Sequence, residues 1–394
     1  MIKQYYKQAL AQLRQHPLIS IIGIVGTALS IFLIMLVVMM QQVKVAPFSP
    51  ESNRNRFLHV HYMSISHKDW GNGTSNGPMS VQTAREVYKS LKTPEAVTVY
   101  CCMTVSTPVS LPGAPAIGAD VRETDDTFFH VFDFQFTDGK PYDEATFTAG
   151  RPVAVITESI SRALFGSIQS VGKEFLLSHA PYRVVGVVKD VSTLADMAYG
   201  QVWIPFTSTN LSNDTWSDNH MGMMSVTLLA HDREDFDEIR AEAKRRMNEY
   251  NSILADQGYT LIDRNRPYDQ ETQSISFAAN LEPDLKAARR ERVIIFIILL
   301  LVPAINLSSM TQSRLRQRVA EIGVRRAFGS TRIEMVGQIV MENLVITLLA
   351  GAIGLLISIL FAYWGTDILF AQPYSVTLNA PTVDSRILLR PSTF

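Results

Sequence analysis

Three uncharged apolar segments constrain this chain more than any other feature of its sequence. They cover residues 17–40, 293–313 and 343–366, and none of them contains an Asp, Glu, Lys or Arg. Each is long enough for an α-helix to cross a hydrocarbon core, which takes about 20 residues. A long stretch of ordinary globular composition separates the first two segments, whereas a short basic stretch separates the last two. The sequence therefore predicts a multi-pass membrane protein with one large folded domain on one side of the bilayer.

The charges indicate which side of the membrane each part occupies. Residues 1–43 and 314–334 together hold nine Lys/Arg and two Asp/Glu, whereas residues 44–292 hold 25 Lys/Arg and 32 Asp/Glu. Short flanking segments rich in Lys and Arg stay in the cytoplasm. We therefore expect the N-terminus and the loop at 314–334 inside, and the acidic domain outside. The first apolar run is longer than that of a signal peptide and lacks a cleavage site, so we interpret it as an uncleaved anchor.

These segments divide the chain into membrane and external parts. The predicted order is a cytoplasmic amphipathic helix at 1–16, a span at 17–43, an external domain at 44–269, a stalk helix at 270–292, a span at 293–313, a cytoplasmic segment at 314–334, a span at 335–366 and an external segment at 367–394. The stalk helix is expected to run straight into the second span. For the first residues, a helix continuous with the first span is the alternative to one lying on the membrane surface.

The external domain is predicted to mix helices and strands. Residues 151–166 form a strand followed by a helix, with Thr157 as N-cap and Gly166 as the stop signal. Residues 173–177 and 182–188 form a hairpin. A helix at 233–254 carries one apolar face of Phe236, Ile239, Ala243, Met247, Tyr250 and Leu254. Two strand–helix arrangements flank a more β-rich middle, which predicts a βαβ-containing lobe with a β-rich lobe inserted into it.

Sequence signals for catalysis, metal binding or nucleic-acid binding are weak. The residues before Gly172 and Lys173 lack the first glycine of a phosphate loop, and Glu174 replaces the Ser or Thr that holds magnesium, so no ATP site is predicted. His59 and His61 share one strand face, and we interpret them as exposed strand histidines rather than metal ligands. The basic residues at 244–246 are flanked by acids, which favours a solvated helix face over a nucleic-acid patch.

Small residues recur within the apolar segments. Gly23 and Gly26 lie in the first span and Gly351 and Gly354 in the third, and small side chains let helix backbones approach closely in lipid. We therefore predict them as packing positions, together with Glu342. Because Glu342 stands one turn into the third span, it either reaches back to the cytoplasmic surface or contacts another helix.

The basic stretch carries a family motif. Residues 318–332 read RVAEIGVRRAFGSTR, which resembles the cytoplasmic coupling segment of MacB/FtsX-type ABC transporter permeases, R-x-x-E-I-G-x-R-x-A-x-G-A-x-R. Ser330 replaces the usual alanine. In the external domain, AVITESISRALFG at 154–166, VGKEFLL at 171–177 and YRVVGVVKDV at 182–191 look like the periplasmic core domain of that family. The resemblance covers nearly the whole chain.

The resemblance implies a permease subunit in the bacterial inner membrane that is not itself an enzyme. Two copies, identical or different, would pair, and each would dock a soluble ATPase subunit that holds the ATP and Mg. This chain would hold no cofactor. The expected outcome is export of a periplasmic drug, peptide or lipoprotein, with a periplasmic adaptor and an outer-membrane channel as further candidate partners. The family has a fourth span, which we expect to follow residue 394.

A short helix that docks on a soluble partner needs an apolar face and charges that orient it. We assign the apolar face to Ile322, Val324 and Phe328, and the orienting charges to Glu321, Arg325 and Arg326. Arg318 and Arg332 complete the predicted coupling set, and Gly329 ends the helix so that the chain can turn back into the membrane. The alternative is that the arginines only set topology.

Two other classes of function compete with a transporter. A membrane receptor, or a regulator of a periplasmic cell-wall hydrolase, would use the same transmission, but the loop at 314–334 is too short for an output domain. A membrane-anchored periplasmic enzyme would need a catalytic constellation, and the sequence contains none that we recognise.

Overall fold

The computed structural model describes residues 17–364, which fall into two compact units. The helical unit contains residues 17–42 and 286–364, and the β-rich unit contains residues 43–285. The predicted amphipathic helix at 1–16 and the external segment at 367–394 lie outside the described residues. The α-helices are α1 (Pro17–Val45), α2 (Val81–Ala84), α3 (Phe128–Val131), α4 (Glu144–Thr148), α5 (Glu158–Phe165), α6 (Phe236–Leu254), α7 (Gln270–Gln273), α8 (Leu285–Gln317), α9 (Val319–Ala327) and α10 (Arg332–Trp364).

Three of these helices match the predicted membrane spans. The segments Ile21–Val45, Leu285–Ser313 and Met335–Ala362 are long and apolar enough to cross a bilayer. Most of their large apolar side chains are exposed, as expected for helices whose outer surface meets lipid instead of water.

The β-rich unit is built on a sheet that partly closes on itself. Its strands are β1 (Phe57–Val60), β2 (Met63–His67), β3 (Thr74–Gly77), β4 (Ala96–Cys101), β5 (Val105–Ser110), β6 (Ile117–Thr124), β7 (Phe136–Gly139), β8 (Val153–Thr157), β9 (Glu174–Leu177), β10 (Ala180–Val188), β11 (Val202–Pro205), β12 (Met224–Leu229), β13 (Tyr259–Ile262) and β14 (Tyr268–Asp269). The larger sheet runs β11-β8-β10-β9-β5-β6-β4-β12-β1-β14, and β13-β2-β3 form a second sheet. Because β11 also pairs with β6, the six strands from β11 to β6 close into a ring.

Separate hydrophobic clusters fill the strand ring and the region around α6. Inside the ring lie apolar side chains such as Val121, Phe175, Val184 and Ile204. A different cluster packs α6 against β1, β4 and β12. In the chain, the ring strands are inserted between β4 and β12, which pair directly with each other. The division of the unit into two lobes stays a prediction.

Several local predictions are confirmed where short-range signals decide the structure. The Thr157 side chain accepts a hydrogen bond from the Ile160 amide at the start of α5, and Gly166 ends that helix with a left-handed φ of 69°. The six residues predicted for the inner face of the helix at 233–254 are its buried residues. The predicted hairpin is formed by β9 and β10.

The predicted stalk helix at 270–292 is wrong in its first half, whereas residues 285–292 are helical and run straight into the second span as predicted. Helix α7 ends at Gln273, and residues 274–284 are not helical. Pro283 has no N–H to donate and its ring crowds the preceding turn, which disfavours a helix through this position. The Ala279 carbonyl in this segment accepts hydrogen bonds from Ser64 and Arg266, which hold the chain in its irregular path.

The interpretation of His59 as an exposed histidine is also wrong, because its side chain is fully buried. Its Nε2 lies 2.9 Å from Gln270 Oε1 and must donate, so its Nδ1 accepts from the Thr227 hydroxyl at 3.0 Å. Tyr100 donates in turn to Thr227 at 2.9 Å. The amide of Gln270 donates to the Lys44 carbonyl at 2.8 Å. A continuous hydrogen-bond chain thus runs from the core to the last turn of α1.

A buried ion pair meets the same helix end. Arg54 and Glu51 are both buried, with Arg54 Nε 2.7 Å from Glu51 Oε2. The Arg54 guanidinium also donates to the carbonyls of Val43 at 2.6 Å and Ala46 at 3.1 Å. The last carbonyls of a helix have no partner within the helix, and a cation there is favoured by the helix dipole. Arg54 therefore binds the carbonyls of Val43 and Ala46 within the β-rich unit, to which all three residues belong.

Replacing Arg54 by methionine should destabilise the protein strongly. Arg54→Met leaves Glu51 as an uncompensated buried charge, which costs about 3–5 kcal/mol. Thermal unfolding of the full chain in detergent, followed by circular dichroism, measures the change. Arg162→Met is the matched control, since Arg162 forms an exposed pair with Glu158. An equal loss of melting temperature in the two variants would contradict the assignment.

Acidification should destabilise the β-rich unit through its buried histidines. Burial lowers the pKa of His59 to about 3 and that of His61 to about 4. The folded state therefore binds fewer protons than the unfolded state, and stability is lost as pH falls below about 6.5. We expect His59→Gln to flatten the fall in melting temperature between pH 7 and pH 5. His179→Gln, in the exposed turn between β9 and β10, is the control, and an unchanged slope in His59→Gln would refute the prediction.

Candidate functional site

The predicted coupling segment folds as a short helix between two long ones. Helix α8 ends at Gln317, Arg318 leaves the helical conformation, and α9 then runs over nine residues. At its end, the amide of Gly329 donates to the Arg326 carbonyl and that of Ser330 to the Arg325 carbonyl. This pair of bonds defines a Schellman motif, and Gly329 takes its left-handed position with a φ of 93°. The motif lets the chain reverse and enter α10.

Glu321 organises the charges of α9. Its carboxylate accepts two hydrogen bonds from Arg318, at 2.8 and 3.1 Å, and one from Arg325 at 2.7 Å. The pKa of Glu321 lies below its ordinary value. The hydrogen bonds from Arg318 are the main cause, and burial opposes them. Arg325 also donates to Gln338 of α10 at 2.8 Å. Three of the predicted coupling residues are therefore engaged within the chain, where they tie α9 to its neighbours.

The single apolar face predicted for α9 is wrong at Ile322. Successive residues of a helix are turned by about 100°, so residues two positions apart point in nearly opposite directions. Ile322 lines a small cleft together with Leu315, Met335 and Ile339. Val324 and Phe328, one turn apart, lie on the outer face and are 57% and 89% exposed. This outer face is open to a partner, whereas Ile322 is turned away from it.

The remaining predicted coupling residues, Arg326 and Arg332, are exposed. Exposure suits a docking role and a topological role equally, so their docking role stays a prediction. Within residues 17–364, no group of three His, Cys, Asp or Glu is placed to hold a metal ion.

Three of the predicted packing glycines lie where α1 meets the other long helices. A Cβ at Gly23 would overlap the Met310 sulfur of α8, and one at Gly26 would lie 2.5 Å from Asn306 Nδ2. A Cβ at Gly354 of α10 would lie 2.7 Å from the Ala28 carbonyl oxygen. Helices in lipid associate through close packing, and the constraint is strictest at Gly354, where the neighbouring atom belongs to backbone and cannot move aside as a side chain can.

The other two packing positions are less informative. A Cβ at Gly351 would make an ordinary contact of 3.7 Å with Ile31. The side chain of Glu342 lies outside the described part of the structure, so its role stays a prediction.

Sequence reasoning missed the partners of these glycines. Asn306 donates to the Thr27 hydroxyl at 3.4 Å across α1 and α8. On α10 the buried positions recur every fourth residue, at Ile346, Ala350, Gly354, Ser358 and Ala362. Reading the third span at that period would have identified its inner face before the structure was known.

Family profiles match both units. The profile of the MacB-like periplasmic core domain matches residues 18–246, and that of the FtsX-like permease C-terminal region matches residues 293–389. The chain belongs to the MacB/FtsX-type ABC transporter permeases. This permease is therefore a membrane protein with a large periplasmic domain, which is the β-rich unit.

Curated relatives of this permease are distant. YknZ of Bacillus subtilis (strain 168), an uncharacterised ABC transporter permease, is 22% identical over 244 residues, which cover 60% of this chain and 55% of YknZ. The macrolide export ATP-binding/permease protein MacB of Burkholderia pseudomallei (strain 1710b) is 24% identical over 274 residues, which cover 69% of this chain and 39% of MacB. The permease thus spans less than two thirds of the length of these relatives.

Solved structures are also similar to part of the permease. The periplasmic region of MacB from Actinobacillus actinomycetemcomitans is 18% identical with a TM-score of 0.35, and the match covers 52% of this chain and 88% of that region. A domain of a putative permease from Porphyromonas gingivalis is 15% identical with a TM-score of 0.39, and the match covers 60% of this chain and 97% of that domain.

A larger residue at Gly354 should disrupt the helical unit. Gly354→Val places new atoms against the Ala28 backbone, which cannot move aside as a side chain can, and such overpacking costs about 1–3 kcal/mol. We expect a lower melting temperature for the full chain in detergent, measured by circular dichroism. Gly337→Val is the matched control on the same helix, since nothing lies within 4 Å of a Cβ there. Equal melting temperatures of the two variants would show that the close approach of α1 and α10 does not stabilise the unit.

Proposed function

We propose that this permease couples ATP hydrolysis by a separate subunit to a conformational change of its periplasmic domain. The outcome of that change is export or extrusion of a periplasmic substrate, with drugs, peptides and lipoproteins as the candidate classes. Membership of an ABC transporter permease family supports this proposal, as do relatives named for macrolide export. The periplasmic domain would act through its two lobes.

The observation that carries the proposal is the outer face of α9. Phe328 and Val324 form an exposed apolar pair on this face. The two side chains lie side by side, one turn apart, and contiguous exposed apolar patches mark interaction sites more than single exposed residues do. Basic side chains of the segment border this pair, which fits a partner groove with an apolar floor and an acidic rim.

The inner side of α9 suits the transmission of a movement. Glu321 binds Arg318 before the helix and Arg325 within it, and Arg325 reaches α10 through Gln338. A helix held at several points moves as a body with the helices that flank it. A push on Phe328 would therefore reach α8 and α10 without being lost in a flexible loop.

The partners follow from this assignment. The ATPase subunit would dock on α9 in the cytoplasm and supply ATP and Mg, and a second permease copy would complete the membrane core. A periplasmic adaptor and an outer-membrane channel would extend the path of the substrate. The permease itself would lie in the bacterial inner membrane.

A charge on the outer face of α9 should release the ATPase subunit. We expect Phe328→Glu to lower the ATPase activity that co-purifies with the tagged full chain from membranes of its host by at least about tenfold, since burying an unpaired carboxylate in an apolar groove is costly. Mass spectrometry of the purified complex identifies the subunit by its phosphate-binding loop.

Ile253→Glu is the control for this measurement. Ile253 is a 63% exposed apolar residue on α6 of the periplasmic domain, so its replacement adds the same charge on the far side of the membrane. Its co-purified activity should equal that of the parent. Undiminished activity with Phe328→Glu, or a parent protein that retains no ATPase, would overturn the proposal.

A further inference from the structure

One end of the closed strand ring contains a cavity of about 350 Å³. Its walls come from five of the six ring strands, with Val105 and Thr107 on β5, Leu177 on β9, Tyr182 on β10 and Ile204 on β11. Leu211, beyond β11, closes part of the rim. The mouth of a β-barrel is a common place for a small-molecule site, and this volume lies within the range of such sites.

Glu123 of β6 is the single charged residue that lines this cavity among the residues described. Its inward direction follows from strand alternation, since Val121 two positions earlier is part of the ring core. No ion pair of the described chain includes Glu123. The carboxylate thus stands in a largely apolar cavity without a cation.

The neighbouring cation, Arg122, binds backbone carbonyls instead of Glu123. Arg122 occupies the opposite face of β6, where it donates to the carbonyls of Tyr199 at 2.5 Å, Cys101 at 3.0 Å and Asp196 at 3.0 Å. It therefore cannot neutralise Glu123.

Hydrogen bonding leaves one side of the Glu123 carboxylate open. The Thr209 hydroxyl donates to Oε2 at 2.5 Å. The second oxygen, Oε1, has no partner within the described residues, yet it is not among the buried unsatisfied atoms, so it remains accessible. The ring of Tyr182 lines the same cavity, and an aromatic face attracts a cation.

We propose that this cavity is a binding site for a small organic cation with an apolar body, such as a quaternary or protonated amine. The charged group would pair with Glu123 and lie against Tyr182, while the apolar body would contact the Val, Leu and Ile side chains. A metal ion fits less well, because one carboxylate and one hydroxyl supply too few oxygen ligands. The site does not depend on the docking of an ATPase to α9.

The ionisation of Glu123 adds a pH dependence to this site. Burial raises the pKa of Glu123 to about 7, against the opposing effect of the Thr209 hydrogen bond. The titratable groups that line the cavity with it are Cys101 on β4 and Tyr182 on β10, and its charge also acts on Tyr142 before α4. Burial raises the pKa of both tyrosines, so they stay neutral. A cation should therefore bind better above pH 7, where Glu123 is ionised, than below it.

The test uses the full chain in lipid nanodiscs and isothermal titration calorimetry. Benzyltrimethylammonium is the cationic probe, benzyl alcohol is its neutral counterpart, and empty nanodiscs correct for partition into lipid. We expect saturable binding of the cation alone, about tenfold weaker at pH 6 than at pH 8. Excess magnesium chloride should not displace it.

Glu123→Gln preserves the shape of the side chain and removes its charge. It should weaken binding of the cation by at least about tenfold at pH 8 and abolish the pH dependence. Glu174→Gln, an exposed carboxylate of β9 outside the cavity, should bind like the parent. Ala180→Trp keeps Glu123 but fills the exposed rim of the cavity, so it should abolish binding even if Glu123→Gln proves unstable.

Three results would each overturn the proposal. They are equal binding of the neutral and cationic probes, full binding by a folded Glu123→Gln variant, and absence of saturable binding by the parent. A failure here leaves the co-purified ATPase activity unaffected, so the two proposals are judged separately.

Discussion

The buried ion pair of Glu51 and Arg54 determines how the chain leaves its first membrane helix. A helix that ends in a polar domain exposes carbonyls that no residue of the helix can satisfy. Arg54 donates to one of them at Val43 and to the Ala46 carbonyl just beyond the helix, and Gln270 donates to another at Lys44. Glu51 balances the buried charge and accepts the amides of Met197 and Ala198 at 2.9 and 3.0 Å. The helix end, the loop before β11 and the His59 network therefore share one set of polar contacts.

The two sites that we propose differ in whether their carboxylate has a cationic partner within the chain. On α9, Glu321 pairs with two arginines, so its charge stabilises the helix. The apolar outer face is then the surface that can bind another protein. In the strand ring, Glu123 has no cation among the residues described, so its charge is available to a ligand. A carboxylate that is satisfied within the chain serves structure, whereas one that is left open in a cavity is a candidate for binding.

Sequence reasoning succeeded where the deciding contacts are local and failed where they are distant. The cap at Thr157 and the stop at Gly166 depend on residues within one turn of the helix. The inner face of α6 follows from periodicity over five turns. The helix predicted at 270–292 is absent over 274–284, because Pro283 and the contacts of Ala279 with Ser64 and Arg266 outweigh helix propensity there. The burial of His59 was missed because Gln270 of α7, which contacts its side chain, follows it by some 200 residues.

The sequence by itself determined the three spans, the charge asymmetry and the family motif, because each depends on composition or spacing along the chain. It also identified the glycines of the spans as packing positions, because small side chains in membrane helices allow close helix contacts. Tertiary structure decided which face of α9 is open, which atoms the glycines meet, and that six strands close around Glu123. Those features arise from pairings between residues far apart in the chain, and periodicity within one segment carries no information about its partner.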